Sequence, residues 1–254
     1  MSDQGGSFLV KLVETDAELR AAQSLRYDVF VRELGGNGAL VDHQAGLERD
    51  RFDPFFDHMV ALDTTTNEVV GVYRLLRDDM AQRAGQFYSE DEYDLGPLRR
   101  SGRRLLELGR SCVHRDYRGG TAMYHLWTGL AAYVAKHRID VLFGVASFHG
   151  TSVSDLAQPL SLLHHRHLAP PELRPRVVAE HYQTMNLLAA DAIDRKQAMI
   201  ETPALIKAYL RLGGYVGDGA FVDHGFNTTD VCLIMDTAQL NARQRRLYAP
   251  HLDG

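Results

Sequence analysis

The residues "SFLVKLVET", positions 7–15, alternate between apolar and polar and predict a strand. Thr15 follows as a helix N-cap, and Glu18 three residues on completes a capping box. Leu19, Ala22, Leu25, Val29 and Phe30 then recur at helical spacing, with Arg26 on the same face, until the glycines of "LGGNG" stop the helix. Residues 35–57 lose this periodicity. An irregular polar segment of that length is uncommon unless it is functional.

Regular patterning returns with "HMVALDT" and "EVVGVYRLL", two strands joined by a hairpin turn at "TTN". "LLELGRSCV" reads as a buried strand that carries a glutamate and an arginine. A basic turn, "RDYRGG", leads from it into a helix over residues 121–137, where Met123, Leu126, Trp127, Leu130 and Val134 form one apolar face. "DVLFGVASF" is a continuous apolar run and predicts a strand buried on both faces. A helix near 152–165 follows, and "APPELRP" breaks the chain. A strand near 176–182, a helix near 203–212, strands near 214–222 and 230–236, and a short basic helix in "TAQLNARQRRLY" complete the pattern. The expectation is one α/β domain spanning 1–254. Its mixed central sheet is flanked by helices and elaborated over about 150–254.

Composition narrows the chemistry. The 254-residue chain carries a net charge of −5, which gives bulk electrostatics no pull toward nucleic acid. Its two cysteines, Cys112 and Cys232, suggest neither a disulfide framework nor a zinc site. The start "MSDQGGSFLV" lacks the basic and apolar regions of a signal peptide, and no run approaches the roughly 20 apolar residues of a membrane span. A cytoplasmic protein is expected, with the basic terminal helix offering at most peripheral contact with the inner membrane.

A strand that feeds a glycine turn at a helix N-terminus makes an anion site, because free N–H groups and the helix dipole point outward. "RDYRGGTAM", residues 115–123, is such a turn. It resembles the phosphopantetheine turn of GNAT N-acyltransferases, with Thr121 standing where a second glycine is usual. The resemblance implies a donor site at Arg115, Arg118, Gly119, Gly120 and Thr121. A wider ordered set is similar to the acyl-homoserine-lactone synthases, which are GNAT-like: Arg26 and Phe30 on the first helix, Asp50 and Asp53 in the loop, Arg74 on the third strand, and Glu107, Gly109 and Arg110 on the fourth. With "ERDRFDPFFDH", "ELGRSCVHRDYR" and "LIKAYLRLGGYVGDGAFVDHGFNTTDV", the chain most resembles the L-ornithine Nα-acyltransferases of ornithine-lipid synthesis.

That family implies a GNAT-like fold and transfer of a 3-hydroxyacyl chain from acyl carrier protein to the α-amine of L-ornithine, giving lyso-ornithine lipid. It implies no permanently bound cofactor and no metal; the phosphopantetheine thioester of the carrier protein is the donor substrate. Alternative readings are an N-acyl amino acid synthase with another acceptor, an acyl-homoserine-lactone synthase, or a non-catalytic module that binds acyl carrier protein.

Aminolysis of a thioester needs a neutral amine, and a positioned carboxylate that takes its proton is worth about 10²–10⁴-fold. Glu107 is the candidate base, with a structural ion pair to Arg110 or Arg74 as its other reading. Arg26, Phe30, Asp50, Asp53, Arg74 and Arg110 are candidate substrate-binding residues. The two aspartates either hold the δ-ammonium of ornithine or pair with arginines to order the loop, and at least one is expected within ion-pair distance of Arg26, Arg74 or Arg110. "RRSGRR", residues 99–104, is either a solvated loop or a docking patch for an acidic carrier protein. His58 with Asp63, the histidines of "HHRHL", and Cys112 are set aside as catalytic or metal-binding groups.

Overall fold

The computed structural model describes residues 7–239. The chain begins with β1 (Phe8–Leu12) and α1 (Asp16–Arg26), which continues as a π-helical turn over Tyr27–Glu33. Next come β2 (Asp57–Asp63), β3 (Val69–Arg77), α2 (Asp78–Ala84), β4 (Tyr93–Asp94) and α3 (Gly96–Arg100). The middle of the chain forms β5 (Leu105–Val113), α4 (Ala122–His137), β6 (Val141–His149) and α5 (Ala157–His167). It ends with β7 (Arg176–Val177), α6 (Arg195–Glu201), α7 (Ala204–Arg211), β8 (Tyr215–Val216), β9 (Phe221–Asp223) and β10 (Thr228–Asp236).

Packing groups these elements into two compact units, and β5 passes from one to the other after Glu107. The first unit takes in the described residues up to Ala84 and Leu108–Arg138. Its strands lie in the order β1-β2-β3-β5, with β1, β2 and β3 antiparallel. The capping box at Thr15 and Glu18 forms as the sequence predicts and starts α1. Neighbouring residues of a strand point to opposite faces. Val60 and Val72 therefore meet Ala22 and Leu25 of α1 and Val29 of the π-helical turn on one face. On the opposite face, Gly71 and Met59 meet α4. The approach is close: a Cβ on Gly71 would stand 2.8 Å from Leu126 Cδ1, and one on Gly129 of α4 would stand 2.6 Å from Val10 Cγ1. These two glycines let α4 lie directly on the strands.

The second unit takes in Gly85–Glu107 and the described residues from Ile139 onward. Here β5 pairs in parallel with β6 at Leu105–Glu107, and β6 pairs antiparallel with β10 along its whole length. β8 and β9 both pair antiparallel with β10, so the sheet is mixed. Only the first half of β6 is buried on both faces; Ser147 and His149 are exposed, which corrects the expectation of a fully covered strand. The strand expected near 176–182 shortens to β7, which pairs with β4 in a small separate sheet. Nothing in the residue pattern announced α2, α3 or α6. The expected terminal helix shows only a 3₁₀ turn at Thr237–Gln239, and its remainder lies outside the described residues.

Candidate active site

The long loop after α1 folds back onto the α1 face of β2 and β3. A bridge between Asp42 and Leu47 closes its first part, and Glu48 N–H donates to Gln23 O at 3.1 Å. Asp50 Oδ1 accepts from Phe52 N–H at 2.9 Å, and a 3₁₀ turn at Asp53–Phe55 follows. His58, opposite Arg74 in the β2–β3 register, bonds the carbonyl of Asp53 through Nε2 at 3.0 Å. The loop's carboxylates are thereby aimed at the arginines of α1, β3 and β5.

Six charges interlock there. Asp53 Oδ1 accepts from Arg26 Nη1 at 2.9 Å and from Arg74 Nη1 at 2.7 Å, while Oδ2 accepts from Gln23 Nε2 at 2.9 Å. Asp50 Oδ2 accepts from Arg74 Nη1 at 2.7 Å. Glu48 bridges Arg26, whose Nε donates to Oε2, and Arg110, whose Nε donates to Oε1 at 3.1 Å. The Arg74 guanidinium also covers the Phe56 ring at 4.2 Å, and that of Arg110 lies 5.7 Å from the centre of the Phe30 ring. The expected ion pairs between the loop aspartates and these arginines are present.

Burial alone would raise the pKa of Asp53, but Arg26, Arg74 and His58 outweigh it and hold the carboxyl at about 2. Burial likewise opposes ionisation of Glu48, and Arg110, Arg26 and Arg74 hold it below the usual carboxylate range. The six groups are not equally enclosed. The side chains of Arg26 and Arg74 are 0% exposed, Glu48 1% and Asp53 7%, whereas Arg110 is 14% and Asp50 18% exposed. Arg110 has a φ of 49°, in the left-handed region that non-glycine residues seldom occupy.

In the second unit, Glu107 is 2% exposed. Its Oε2 accepts from Tyr88 N–H and its Oε1 from Ser89 N–H, each at 2.7 Å, and the Ser89 hydroxyl donates to Oε1 as well. The carboxylate thus anchors the turn at residues 88–89. The arginine-rich segment is largely committed inside this unit. Arg99 pairs with Glu90, and Arg103 makes a two-pronged pair with Asp236 while donating to Asp140 O at 3.0 Å. Two of the four arginines thus have partners inside the unit, while Arg99, Arg100 and Arg104 are exposed.

In the first unit, β5 runs through a 3₁₀ turn at Arg115–Tyr117 to the N-terminus of α4. Gly119 takes a φ of 80°, and Gly120 and Thr121 are exposed. Arg118 is held by Glu33 at 2.8 Å and by the carbonyl of Val113 at 3.0 Å. Thr121 is the N-cap residue of α4, yet its hydroxyl does not bond the helix, in contrast to Thr15 in α1. A 16-residue helix thus opens on glycine-flanked backbone N–H groups.

Cys112, Asp63 and His58 are among the groups set aside in the sequence. Burial pushes the Cys112 thiol up to about 12. Asp63 accepts from Tyr117 at 2.9 Å, while His58 turns to the loop. Among the described residues, no group of His, Cys, Asp and Glu is arranged to hold a metal ion, and no helix is long and apolar enough to cross a membrane.

A model of the acetyltransferase (GNAT) domain matches residues 25–128. A relative from Rhodobacter capsulatus named L-ornithine N(alpha)-acyltransferase is 57% identical over 253 residues, covering 98% of this chain and 97% of that one. The chain belongs to the L-ornithine N(alpha)-acyltransferase family. Relatives of the same name from Brucella abortus and Rhizobium meliloti are 42% and 41% identical, over 96% and 94% of this chain and 89% and 83% of theirs. Among solved structures, a CoA-dependent acyl-homoserine lactone synthase aligns with a TM-score of 0.55 at 13% identity, covering 97% of this chain and 92% of that one. An N-acyl amino acid synthase from uncultured soil microbes aligns with a TM-score of 0.54 at 11% identity, over 94% and 98%. These two likenesses establish the fold, α/β with a mixed sheet flanked by helices, and the matched domain makes it GNAT-like.

In this member of the L-ornithine N(alpha)-acyltransferase family, sequence reasoning passed over two participants. Glu48 lies two residues before Asp50, inside the quoted "ERDRFD", so a carboxylate pattern of 48, 50 and 53 was available. The Tyr88–Ser89 turn that holds Glu107 acts mainly through backbone N–H groups, which leave no mark in a sequence.

Proposed function

We propose that the protein transfers a 3-hydroxyacyl chain from the phosphopantetheine thioester of acyl carrier protein to the α-amine of L-ornithine, giving lyso-ornithine lipid. Near-full-length identity to relatives named for that acceptor carries the ornithine assignment. The charge network supports an amino-acid acceptor. Arg110 and Asp50 are its most exposed members, and their opposite charges stand 3.8 Å apart. A zwitterion brings a carboxylate to such a guanidinium and an ammonium to such a carboxylate. The sealed pairs of Arg26, Arg74, Glu48 and Asp53 hold the loop in place, with Phe30 beside Arg110.

In the reaction the amine lone pair attacks the thioester carbonyl. The C–N bond forms, the amine proton passes to the Glu107 carboxylate, the C–S bond breaks and the pantetheine thiolate leaves, taking up a proton. The open N-terminus of α4, with Gly119, Gly120, Thr121 and the guanidiniums of Arg115 and Arg118, receives the phosphate of the pantetheine arm. The exposed Arg100 and Arg104 serve as the docking charges for the acidic carrier protein. The enzyme works at the inner face of the membrane, where its product partitions.

The test is turnover of purified protein with 3-hydroxyacyl carrier protein and L-ornithine, followed by mass spectrometry of the product. Nα-acylated ornithine is expected. Turnover with acyl-CoA as efficient as with the carrier protein would sink the donor assignment, and preference for another amino acid would sink the acceptor.

A further inference from the structure

Arg110 is held in an unusual way. Its backbone at φ 49° lies in a region where L side chains are costly, and such conformations persist only where the surroundings enforce them. Its guanidinium is tied at Nε to Glu48 Oε1 at 3.1 Å, while Nη2 stands 3.8 Å from Asp50 Oδ2. Glu48 is itself held at both oxygens. It is 1% exposed, and its other oxygen pairs with Arg26, which Asp53 fixes in turn. A chain of buried ion pairs therefore runs from the loop interior to Nε of Arg110. The longest ion-pair separation in the network, 3.8 Å to Asp50, lies on the Nη side, so the shorter bond at Nε sets the direction of the guanidinium.

We infer that Glu48 is a positioning residue for acceptor recognition: it aims the guanidinium of Arg110 at the carboxylate of the amino-acid acceptor. This rests on the reading that Arg110 takes that carboxylate. The sign of the effect separates aiming from charge. Neutralising Glu48 removes a negative charge beside Arg110, which by electrostatics alone strengthens attraction for an anion. Loss of aiming does the reverse, because one guanidinium edge must meet two oxygens in a fixed plane.

The experiment compares kcat/KM for L-ornithine with that for L-ornithinamide, in which the carboxylate is neutral, using one acyl donor throughout. The variants are Glu48→Gln, Glu48→Asp, Arg110→Ala and the Glu48→Gln/Arg110→Ala double, each also measured by thermal melting. Arg110→Ala should bring the ornithine-to-ornithinamide ratio close to one. Glu48→Gln should lower that ratio about tenfold through KM for ornithine, the loss expected for a misaligned charged hydrogen bond. Glu48→Asp, which keeps the charge on a shorter arm, should recover part of it, and the double variant should match Arg110→Ala. A structural role for Glu48 would depress both substrates alike and leave the ratio unchanged, which overturns the proposal. A ratio unchanged in Arg110→Ala defeats the underlying reading of Arg110 instead. Should Glu48→Gln fail to fold, Glu48→Asp decides: a parental ratio in that variant refutes aiming, and a lowered ratio supports it.

Discussion

Replacing Asp53 by alanine removes the carboxylate that Arg26 and Arg74 share. Three bonds go with it, at 2.9 Å to Arg26, 2.7 Å to Arg74 and 2.9 Å to Gln23. Two guanidiniums that are 0% exposed then face each other with Glu48 and Asp50 as remaining partners. Breaking a buried pair on one side costs about 3–5 kcal/mol. The electrostatics point the same way: Arg26 and Arg74 outweigh burial and hold the Asp53 carboxyl at about 2, so its charged form stabilises the fold. Truncation also strands the arginines, so about 3 kcal/mol or more is expected, a fall of roughly 6–12 °C in Tm for a chain of this size. Asp50→Ala should cost less, about 1.5 kcal/mol, because water reaches the vacated site. Both variants should lose activity. Differential scanning calorimetry at neutral pH measures the order. Asp53→Ala melting with the parent, or Asp50→Ala melting below Asp53→Ala, would show that the network does not hold the loop.

Glu107→Gln should turn over about 10²–10⁴-fold more slowly at neutral pH, with part of the rate returning as pH rises past the amine pKa of about 7.7–8.0, and should melt lower because its amide nitrogen would face a backbone N–H of Tyr88 or Ser89; equal pH–rate profiles would remove Glu107 from proton transfer. Arg100→Ala with Arg104→Ala should raise KM for the acylated carrier protein and not for ornithine, whereas Arg99→Ala or Arg103→Ala should lower Tm, since their partners are internal. Burial holds the pKa of His58 below 6.5, so the unfolded chain takes up that proton first and stability falls as pH drops below about 6.5. Asp53 works in a lower window: its contribution is complete above 3.8 and is lost as pH falls toward 2. Melting curves from pH 7.5 to 5 should therefore show a decline that His58→Gln reduces, and an unchanged slope in that variant would exclude His58 as its source.

What the sequence disclosed follows from the range of the interactions. The box at Thr15 and Glu18 closes within three residues, so its pattern is local and legible. The strands β2 and β3 announce themselves as apolar runs on either side of a short turn. The pairing of the loop aspartates with arginines was legible for another reason: carboxylates so close in sequence demand cationic partners if they are buried, and the family resemblance singled out Arg26, Arg74 and Arg110. Distant partners stayed hidden. Arg103 reads as part of an exposed basic run because Asp236 stands 133 residues away. Glu48 looks like any loop glutamate until folding places it between two guanidiniums. Short pairings such as β4 with β7 carry too few residues to show a period.

The left-handed backbone at Arg110 sets the interests of the fold against those of the reaction. Glycine, and to a lesser degree asparagine, adopts that conformation with little or no steric cost. Substitution by glycine would relax β5, but it would also take from Glu48, 1% exposed, one of the two guanidiniums that it bridges. The proposed part of Arg110 in holding the acceptor adds a third demand, so libraries sorted by heat resistance and libraries sorted by product should part at this position according to the demand each one reads.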